Sequence, residues 1–284
     1  MIQDIQPHIY KNEYKPSEPQ KDSVVLFFHG RRVLTKEQEE IGYLSYDEAE
    51  QLAVVEETLR YLFSIDGRSY YLGEGKKIEQ MLEQGKLEGY HWREIRSFRN
   101  ALPKEQAFAG VTGWQLYNWY ESRKFCGRCG TRMEHAEKER MMHCPECGQM
   151  EFPKICPAVI VGVTHGNKIL LSKYADREYK KYALLAGFTE IGETPEETVK
   201  REVMEEVGLR VKNIRYYKSQ PWSFSDTLLM GFFCELDGEP KITLDEDELA
   251  LAEWVEREAI PVEPEDCSLT NEMIITFKEN KKTS

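Results

Sequence analysis

The strongest constraint on this 284-residue chain is a helix-forming segment at residues 195–207. Thr194 is a favourable N-cap, Pro195 suits the first helical position, and Glu197 stands where a capping box requires an acid. Gly208 is a typical C-terminal stop. Apolar residues recur at every fourth position of this segment, which predicts one buried helix face. The residues of that face are Val199, Val203 and Val207.

Three glutamates crowd together on a neighbouring face of the predicted helix. Glu202 and Glu206 stand one turn apart with Glu205 beside them, and like charges at this spacing destabilise a helix. A bound cation would relieve the repulsion, and carboxylate oxygens suit Mg²⁺ or Mn²⁺. A solvated acidic face is the ordinary alternative. It leaves the fixed spacing of Glu193 and Arg201 unexplained.

The segment from Gly187 to Leu209 resembles the Nudix box, G-x5-E-x7-R-E-U-x-E-E-x-G-U with U apolar, at every specified position. The resemblance implies an α/β fold, the Nudix α/β/α sandwich with a mixed sheet, over residues 156–284. It also implies metal-dependent hydrolysis of a nucleoside diphosphate joined to another group. The catalytic residues that it implies are Glu193, Arg201, Glu202, Glu205 and Glu206.

Roles within the site follow from the same resemblance. Glu205 is a further metal ligand or the candidate general base, and Arg201 is expected to orient Glu193 rather than to touch substrate. A carbonyl oxygen and an acidic residue downstream complete the expected catalytic metal site. The implied Mg²⁺ or Mn²⁺ ligands are Ala186, Glu202, Glu206 and Glu248.

Two C-x-x-C-G segments precede this region. Cys126 and Cys129 form one, and Cys144 and Cys147 form the other. Each segment can bring two thiolates onto one turn, so the two together offer four sulfurs to a tetrahedral Zn²⁺. Such a closed set of ligands leaves no position for substrate, so we expect a structural zinc.

The sequence Ser219-Gln-Pro-Trp-Ser-Phe-Ser-Asp-Thr227 resembles the SQPWPFPxS array of NADH pyrophosphatases, a Nudix subgroup that also carries a zinc ribbon. Two prolines of the array are replaced by Ser223 and Ser225, and its last serine by Thr227. The resemblance implies hydrolysis of NAD(H) to NMN(H) and AMP. The expected substrate-binding residues are Glu139, Phe152, Gln220, Pro221, Trp222, Ser223, Phe224, Ser225, Asp226 and Thr227.

The expected domain order is an N-terminal α+β domain with a linker helix at 1–118, a zinc ribbon at 119–155 and a Nudix domain at 156–284. Alternating or continuous apolar runs predict the strands, and Asp66-Gly67 predicts a tight hairpin turn. The predicted strands are 24–28, 61–65, 69–72, 158–163, 168–171, 213–219 and 227–236. The predicted helices besides 195–207 are 45–60, weakly, and 268–280.

The chain has a net charge of −12, from 38 basic and 50 acidic residues. This charge disfavours extended binding to nucleic acid or to anionic membranes. No run approaches the roughly 20 apolar residues of a membrane span. We therefore expect a cytoplasmic protein, and the resemblance implies a homodimer.

Several functions remain open at this point. The same site could remove NAD caps from RNA 5′ ends, or hydrolyse ADP-ribose or dinucleoside polyphosphates. A catalytically inactive module for nucleotide sensing or RNA binding is disfavoured because the box is complete. A redox or ATPase role has no support, since neither G-x-G-x-x-G nor a P-loop occurs.

Overall fold

A computed structural model gives the structure of the chain and describes residues 1–36, 40–55, 59–175 and 181–280. The described residues contain helices together with sheets, two of which mix parallel and antiparallel pairs, so the fold class is α/β, as predicted. None of the helices in the described ranges has the length and hydropathy needed to cross a membrane.

The chain divides into two compact units. The N-terminal unit contains Ile2–Lys154 together with Ser223–Ser225. The C-terminal unit contains Met1, Ile155–Trp222 and Asp226–Ser284.

The N-terminal unit contains sheets with the strand orders β1-β6-β7-β2-β5, β3-β4-β8 and β11-β10-β9. Asp66 and Gly67 both have positive φ, 53° and 80°, and form the predicted hairpin turn. The elements are β1 Tyr10–Lys11, β2 Val24–Leu26, β3 Phe28–His29, β4 Arg32–Lys36, β5 Leu44–Ser45, α1 Tyr46–Gln51, β6 Arg60–Ile65, β7 Arg68–Leu72, α2 Ile78–Glu83, β8 Tyr90–Glu94, α3 Lys104–Ser122, β9 Glu134–His135, β10 Met142–His143 and β11 Met150–Glu151.

Two predictions in this unit need correction. The predicted strand 24–28 is interrupted at Phe27, because β2 pairs with β5 and β7 whereas β3 pairs with β4. The predicted helix 45–60 is confined to α1. A Ser45–Glu48 capping box starts it, and the backbone turns to a φ of 53° at Ala53. Part of that predicted helix, residues 56–58, lies outside the described residues.

The C-terminal unit is built on a mixed sheet with the order β15-β16-β12-β13-β17 and with β14 paired to β12. The β12–β16 pair is parallel and the other pairs are antiparallel. The elements are β12 Cys156–His165, β13 Lys168–Tyr174, β14 Leu185–Phe188, α4 Pro195–Val207, β15 Val211–Trp222, β16 Thr227–Leu236, β17 Leu249–Glu256 and α5 Leu269–Lys278.

Alternate residues of β12 serve two separate cores, one on each face of this sheet. Val159 packs in the core that contains the valines of α4, whereas Ile160 packs in the core that contains Met273 and Phe277 of α5. A sheet covered by a helix on each face is the α/β/α sandwich that the sequence predicts. The three valines of α4 are 0% exposed, and each contributes about 1.5–3 kcal/mol by burial.

Candidate active site and zinc ribbon

Helix α4 begins with the local chemistry that its sequence predicts. The Thr194 hydroxyl accepts a hydrogen bond from the Glu197 backbone N–H, and the Glu197 carboxylate accepts one from the Thr194 N–H. The helix ends at Gly208, whose φ is 67°. Its predicted bounds are confirmed at both ends.

Glu193 stands immediately before this helix and is held as an ion pair. The Arg201 guanidinium donates to it twice, from Nε to Oε1 at 2.6 Å and from Nη2 to Oε2 at 3.0 Å. The Thr198 hydroxyl donates to the same carboxylate at 3.0 Å. The hydrogen bonds from Arg201 are the largest cause that lowers the pKa of Glu193, to about 2. Glu193 is therefore an ionised anchor at neutral pH.

Arg201 also connects the helix to the sheet. Its Nη1 donates to Glu202 Oε1 at 2.7 Å and to Glu205 Oε2 at 2.9 Å, and its Nη2 donates to the Phe188 carbonyl at 2.9 Å. Together with Glu193, these partners lie on α4, on the loop before it and at the end of β14. One guanidinium thus fixes three segments around the acidic face.

Glu202 is packed directly against β14. A Cβ atom on Gly187 would lie 1.8 Å from the Glu202 Cδ, so only glycine leaves room for this carboxylate. Glu202 is 9% exposed. Burial is the largest cause that raises its pKa; Glu205 and Glu248 add to the rise, and Arg201 opposes it. The site therefore concentrates negative charge where water solvates it poorly.

Glu206 is buried one turn after Glu202, with 2% of its surface exposed. Its backbone carbonyl accepts a hydrogen bond from the Asp245 N–H at 2.9 Å. This bond attaches the loop before β17 to the end of α4. The same loop carries the exposed Glu248, whose charge raises the pKa of Glu202.

The donor chemistry of this site fits Mg²⁺ or Mn²⁺. Carboxylates on α4 and on the 245–248 loop supply hard oxygen atoms, and the Ala186 carbonyl belongs to β14 on the adjoining sheet. Within the described part of the chain, these carboxylates do not form a group whose oxygens all lie within 4.8 Å of one another. An open arrangement suits Mg²⁺, which retains waters and takes substrate phosphates as ligands.

The four cysteines of the N-terminal unit do form such a group, with all four sulfurs within 4.8 Å of one another. The Cys126–Cys147 and Cys129–Cys144 sulfurs are 3.6 and 3.4 Å apart. Tetrahedral Zn–S bonds of about 2.3 Å would place sulfurs about 3.8 Å apart. The cysteines are therefore already close to the arrangement that zinc requires.

The two cysteine turns repeat one backbone pattern. In the first, the Gly130 N–H donates to the Cys126 carbonyl at 2.9 Å; in the second, the Gly148 N–H donates to Cys144 at 3.0 Å. Both glycines have positive φ, 77° and 72°, which other residues rarely adopt. The glycine that follows each cysteine pair therefore closes the turn and points two sulfurs the same way.

The structure assigns Gln220 a structural contact that its sequence position did not indicate. This side chain is 0% exposed. Its Nε2 donates to the Cys267 carbonyl at 2.9 Å, and its Oε1 accepts from the Leu269 N–H at 2.7 Å. Gln220 thus fixes the start of α5, and a role in substrate binding stays a prediction.

The other expected substrate residues differ in accessibility. Ser223, Phe224 and Thr227 are buried, whereas Pro221 and Ser225 are exposed and Trp222 and Asp226 are partly exposed. In the N-terminal unit, the Arg99 guanidinium lies 5.7 Å from the Phe224 ring centroid. Glu139 and Phe152 of the same unit are exposed, Phe152 by 54%.

Sequence reasoning missed two residues that support the site. Thr198 holds Glu193, and Asp245 attaches the loop of Glu248 to α4. Thr198 lies five positions after Glu193 and one turn after the N-cap, so its place on the helix could have been inferred. The backbone contact of Asp245 has no signal in the sequence.

Comparisons with known proteins agree in both parts of the chain. The NUDIX domain family matches residues 154–274, and the family described as NADH pyrophosphatase zinc ribbon domain matches residues 121–152. The chain is 36% identical over 214 residues to the NAD-capped RNA hydrolase NudC of Pseudomonas aeruginosa. The matched region covers 75% of this chain and 76% of that protein.

A second relative is the NAD-capped RNA hydrolase NudC of Chromobacterium violaceum. It is 39% identical over 183 residues, 64% of this chain and 69% of that protein. Among solved structures, a NUDIX hydrolase from Nitrosomonas europaea has a TM-score of 0.48 at 24% identity, covering 56% of this chain and 92% of that one.

Proposed function

This chain belongs to the Nudix hydrolases that carry an NADH pyrophosphatase zinc ribbon, and from that membership we propose that it hydrolyses NAD(H) to NMN(H) and AMP. The observation that carries the proposal is the Arg201 network, which holds Glu193, Glu202 and Glu205 around one guanidinium. A complete network of this kind favours an active enzyme over an inactive binding module.

The residues have separate tasks in this reaction. Glu193 stays ionised and fixes Arg201, which in turn orients Glu202. Mg²⁺ or Mn²⁺ bound by Glu202, Glu206, Glu248 and the Ala186 carbonyl would polarise the phosphoryl oxygens and lower the pKa of a bound water. Zinc at the ribbon is structural and separate from these ions.

We assign the general base to Glu205. Its side chain is 57% exposed, and Arg201 Nη1 orients it from 2.9 Å. It accepts the proton of the attacking water as the water oxygen bonds to phosphorus. The anhydride P–O bond breaks, the bridging oxygen leaves on the other phosphate, and two nucleoside monophosphates result.

The remainder of the dinucleotide is proposed to contact the substrate residues that the sequence predicts. Trp222 and Phe224 offer rings that can stack on the bases, each stack being worth about 1–3 kcal/mol. Glu139, Phe152, Pro221, Ser223, Ser225, Asp226 and Thr227 are further proposed contacts. Gln220 is proposed to act through the backbone that it fixes.

NAD-capped RNA is the second candidate substrate, because the relatives are named as hydrolases of it. The same pyrophosphate bond would be cleaved. The net charge of −12 favours recognition of the cap nucleotide over extended contacts with the RNA. We also propose a homodimer, and a cytoplasmic location because zinc-binding thiolates persist in a reducing compartment.

Product analysis tests the reaction. Purified protein is incubated with NADH, NAD⁺, NAD-capped RNA, ADP-ribose or diadenosine tetraphosphate, with Mg²⁺ or Mn²⁺ or neither, and the products are separated by chromatography. We expect NMN(H) and AMP, formed fastest from NADH or NAD⁺ and only with added metal. Faster cleavage of ADP-ribose or of the dinucleoside polyphosphate would overturn the substrate assignment. No cleavage of any compound would indicate the binding module.

A further inference from the structure

Two arginines of the N-terminal unit lie against a pair of tyrosines, and none of these four residues has a part in the proposed reaction. The Arg60 guanidinium lies 4.8 Å from the ring centroid of Tyr120, and the Arg140 guanidinium lies 5.3 Å from that of Tyr14. Both arginines are half-buried and Tyr120 is buried. We define these four residues as the arginine–tyrosine cluster.

The charges of both guanidinium groups act on the Tyr120 hydroxyl. Burial raises the pKa of Tyr120, and the charges of Arg140 and Arg60 oppose the rise. Tyr14 raises the pKa of both Tyr120 and Arg60 electrostatically. The charges of both arginines thus act on one side chain, and the guanidinium and hydroxyl groups of the cluster can all donate hydrogen bonds.

No carboxylate in the described ranges lies within ion-pair distance of either arginine. Arg60 forms no hydrogen bond or ion pair through its side chain in these ranges. Arg140 donates through Nη2 to the Leu62 carbonyl, while its Nη1 is buried with no hydrogen-bond partner. Glu74 is the carboxylate whose charge raises the pKa of Arg60. Its Oε2 already accepts a hydrogen bond from Lys76 Nζ at 2.6 Å.

Such an arrangement is unfavourable without a counter-ion. Each half-buried guanidinium has lost part of its hydration, and the two repel each other. The tyrosine rings offset this only partly, because a cation–π contact contributes about 0.5–2 kcal/mol. In a chain with a net charge of −12, two arginines without a carboxylate partner are a local exception.

We propose that the arginine–tyrosine cluster is a binding site for a phosphate group. Two guanidinium forks and two hydroxyls match the several acceptor oxygens of a tetrahedral phosphate. The phosphate can be a monoester of a free nucleotide or a diester of an RNA chain. The cluster contains none of the proposed catalytic residues, and its binding of phosphate does not rest on the proposed reaction.

The test is isothermal titration calorimetry of the full-length zinc-loaded protein, without added Mg²⁺ or Mn²⁺. The probes are inorganic phosphate, AMP and a short RNA that lacks terminal phosphates. Arg60→Gln should weaken binding of the effective probe at least about tenfold. Arg31→Gln is the matched control: Arg31 lies 4.8 Å from the Trp114 ring centroid in the same unit, and the substitution removes the same charge.

The outcomes separate the two sources of phosphate. Binding of phosphate and AMP alone identifies a monoester site, whereas competing binding of the RNA identifies a backbone site. The proposal is overturned if no probe binds saturably, or if Arg31→Gln weakens binding as much as Arg60→Gln. Where Arg60→Gln does not fold, Arg60→Lys keeps the charge but loses the fork, and unchanged affinity in that variant also overturns the proposal.

Discussion

Two carboxylates, Glu193 just before α4 and Glu202 within it, have opposite electrostatic environments. Glu193 is stabilised in its ionised form by Arg201, whereas Glu202 is destabilised in that form by burial and by its acidic neighbours. Environments that shift two carboxylates in opposite directions are typical of active sites. The sequence alone predicted these acids as site residues, but not this division between them.

Glu206→Gln should reduce kcat for NADH at least about a hundredfold, because it removes a buried carboxylate from the proposed metal site. The side chain keeps its size, so the melting temperature should hardly fall. Glu239→Gln, in the exposed loop after β16, is the control and should retain the full rate. An unchanged kcat in Glu206→Gln would remove this residue from the site.

Gly187→Ala should both destabilise and inactivate the protein, because its Cβ would overlap the Glu202 carboxyl group. Overpacking of this kind costs about 1–3 kcal/mol. Thermal unfolding and kcat would be measured beside Gly127→Ala, whose Cβ would meet no atom within 4 Å. Normal activity in Gly187→Ala would show that Glu202 can leave its observed position without loss of function.

The stability of the protein should depend on the Glu193 carboxylate in acid. Its pKa is lowered in the folded state from 4.5 to about 2, so its contribution is complete above pH 4.5 and disappears as the pH falls towards 2. Urea unfolding should show Glu193→Gln less stable than the parent at pH 7, with a difference that shrinks below pH 4.5. Glu196→Gln on the same helix should show little difference at any pH. A difference for Glu193→Gln that is as large at pH 2 as at pH 7 would contradict the assignment.

At the scale of elements, local signals were sufficient where the determining contacts are local. Both ends of α4 follow from Thr194, Glu197 and Gly208, and β16 has the bounds that its apolar run predicts. Strand β15 is longer than predicted, Val211–Trp222 rather than 213–219. Its pairing with β16 continues until Trp222 lies opposite Thr227. The contacts of Gln220 with residues 47 and 49 positions later could not be predicted, because nothing nearby indicates them.

The zinc ribbon should lose its structure with its metal. Cys129→Ser removes one of four sulfurs, so we expect zinc content to fall from about one per chain to near zero. Amide exchange should accelerate over residues 124–151 and stay unchanged in α4. Cys156→Ser, outside the sulfur group, should keep its zinc. Retention of zinc by Cys129→Ser would contradict the four-sulfur site.

The whole molecule carries a charge that opposes its proposed substrate. A net charge of −12 repels NADH at long range, while the catalytic metal attracts it only nearby. Such a protein depends on local cations for binding and gains nothing from its overall field. This property distinguishes it from basic proteins that collect phosphate compounds electrostatically.

Added salt should therefore assist the enzyme at fixed Mg²⁺ concentration. Screening shortens the reach of the repulsion from about 30 Å at 0.01 M to about 8 Å at 0.15 M ionic strength. We expect kcat/KM for NADH to rise over this range in choline chloride, with kcat nearly constant. A steep fall would indicate that attraction dominates the approach of substrate.

The buried amide of Gln220 also affects how the protein would degrade chemically over time. Deamidation would replace the Nε2 donor by an acidic oxygen facing the Cys267 carbonyl, where two acceptors would repel each other. Complete burial keeps water, the reagent for that hydrolysis, away from the side chain. During long storage or heating, Gln220 would therefore deamidate only after local unfolding exposes it to water. Because deamidation is irreversible, the attachment of α5 would then not re-form.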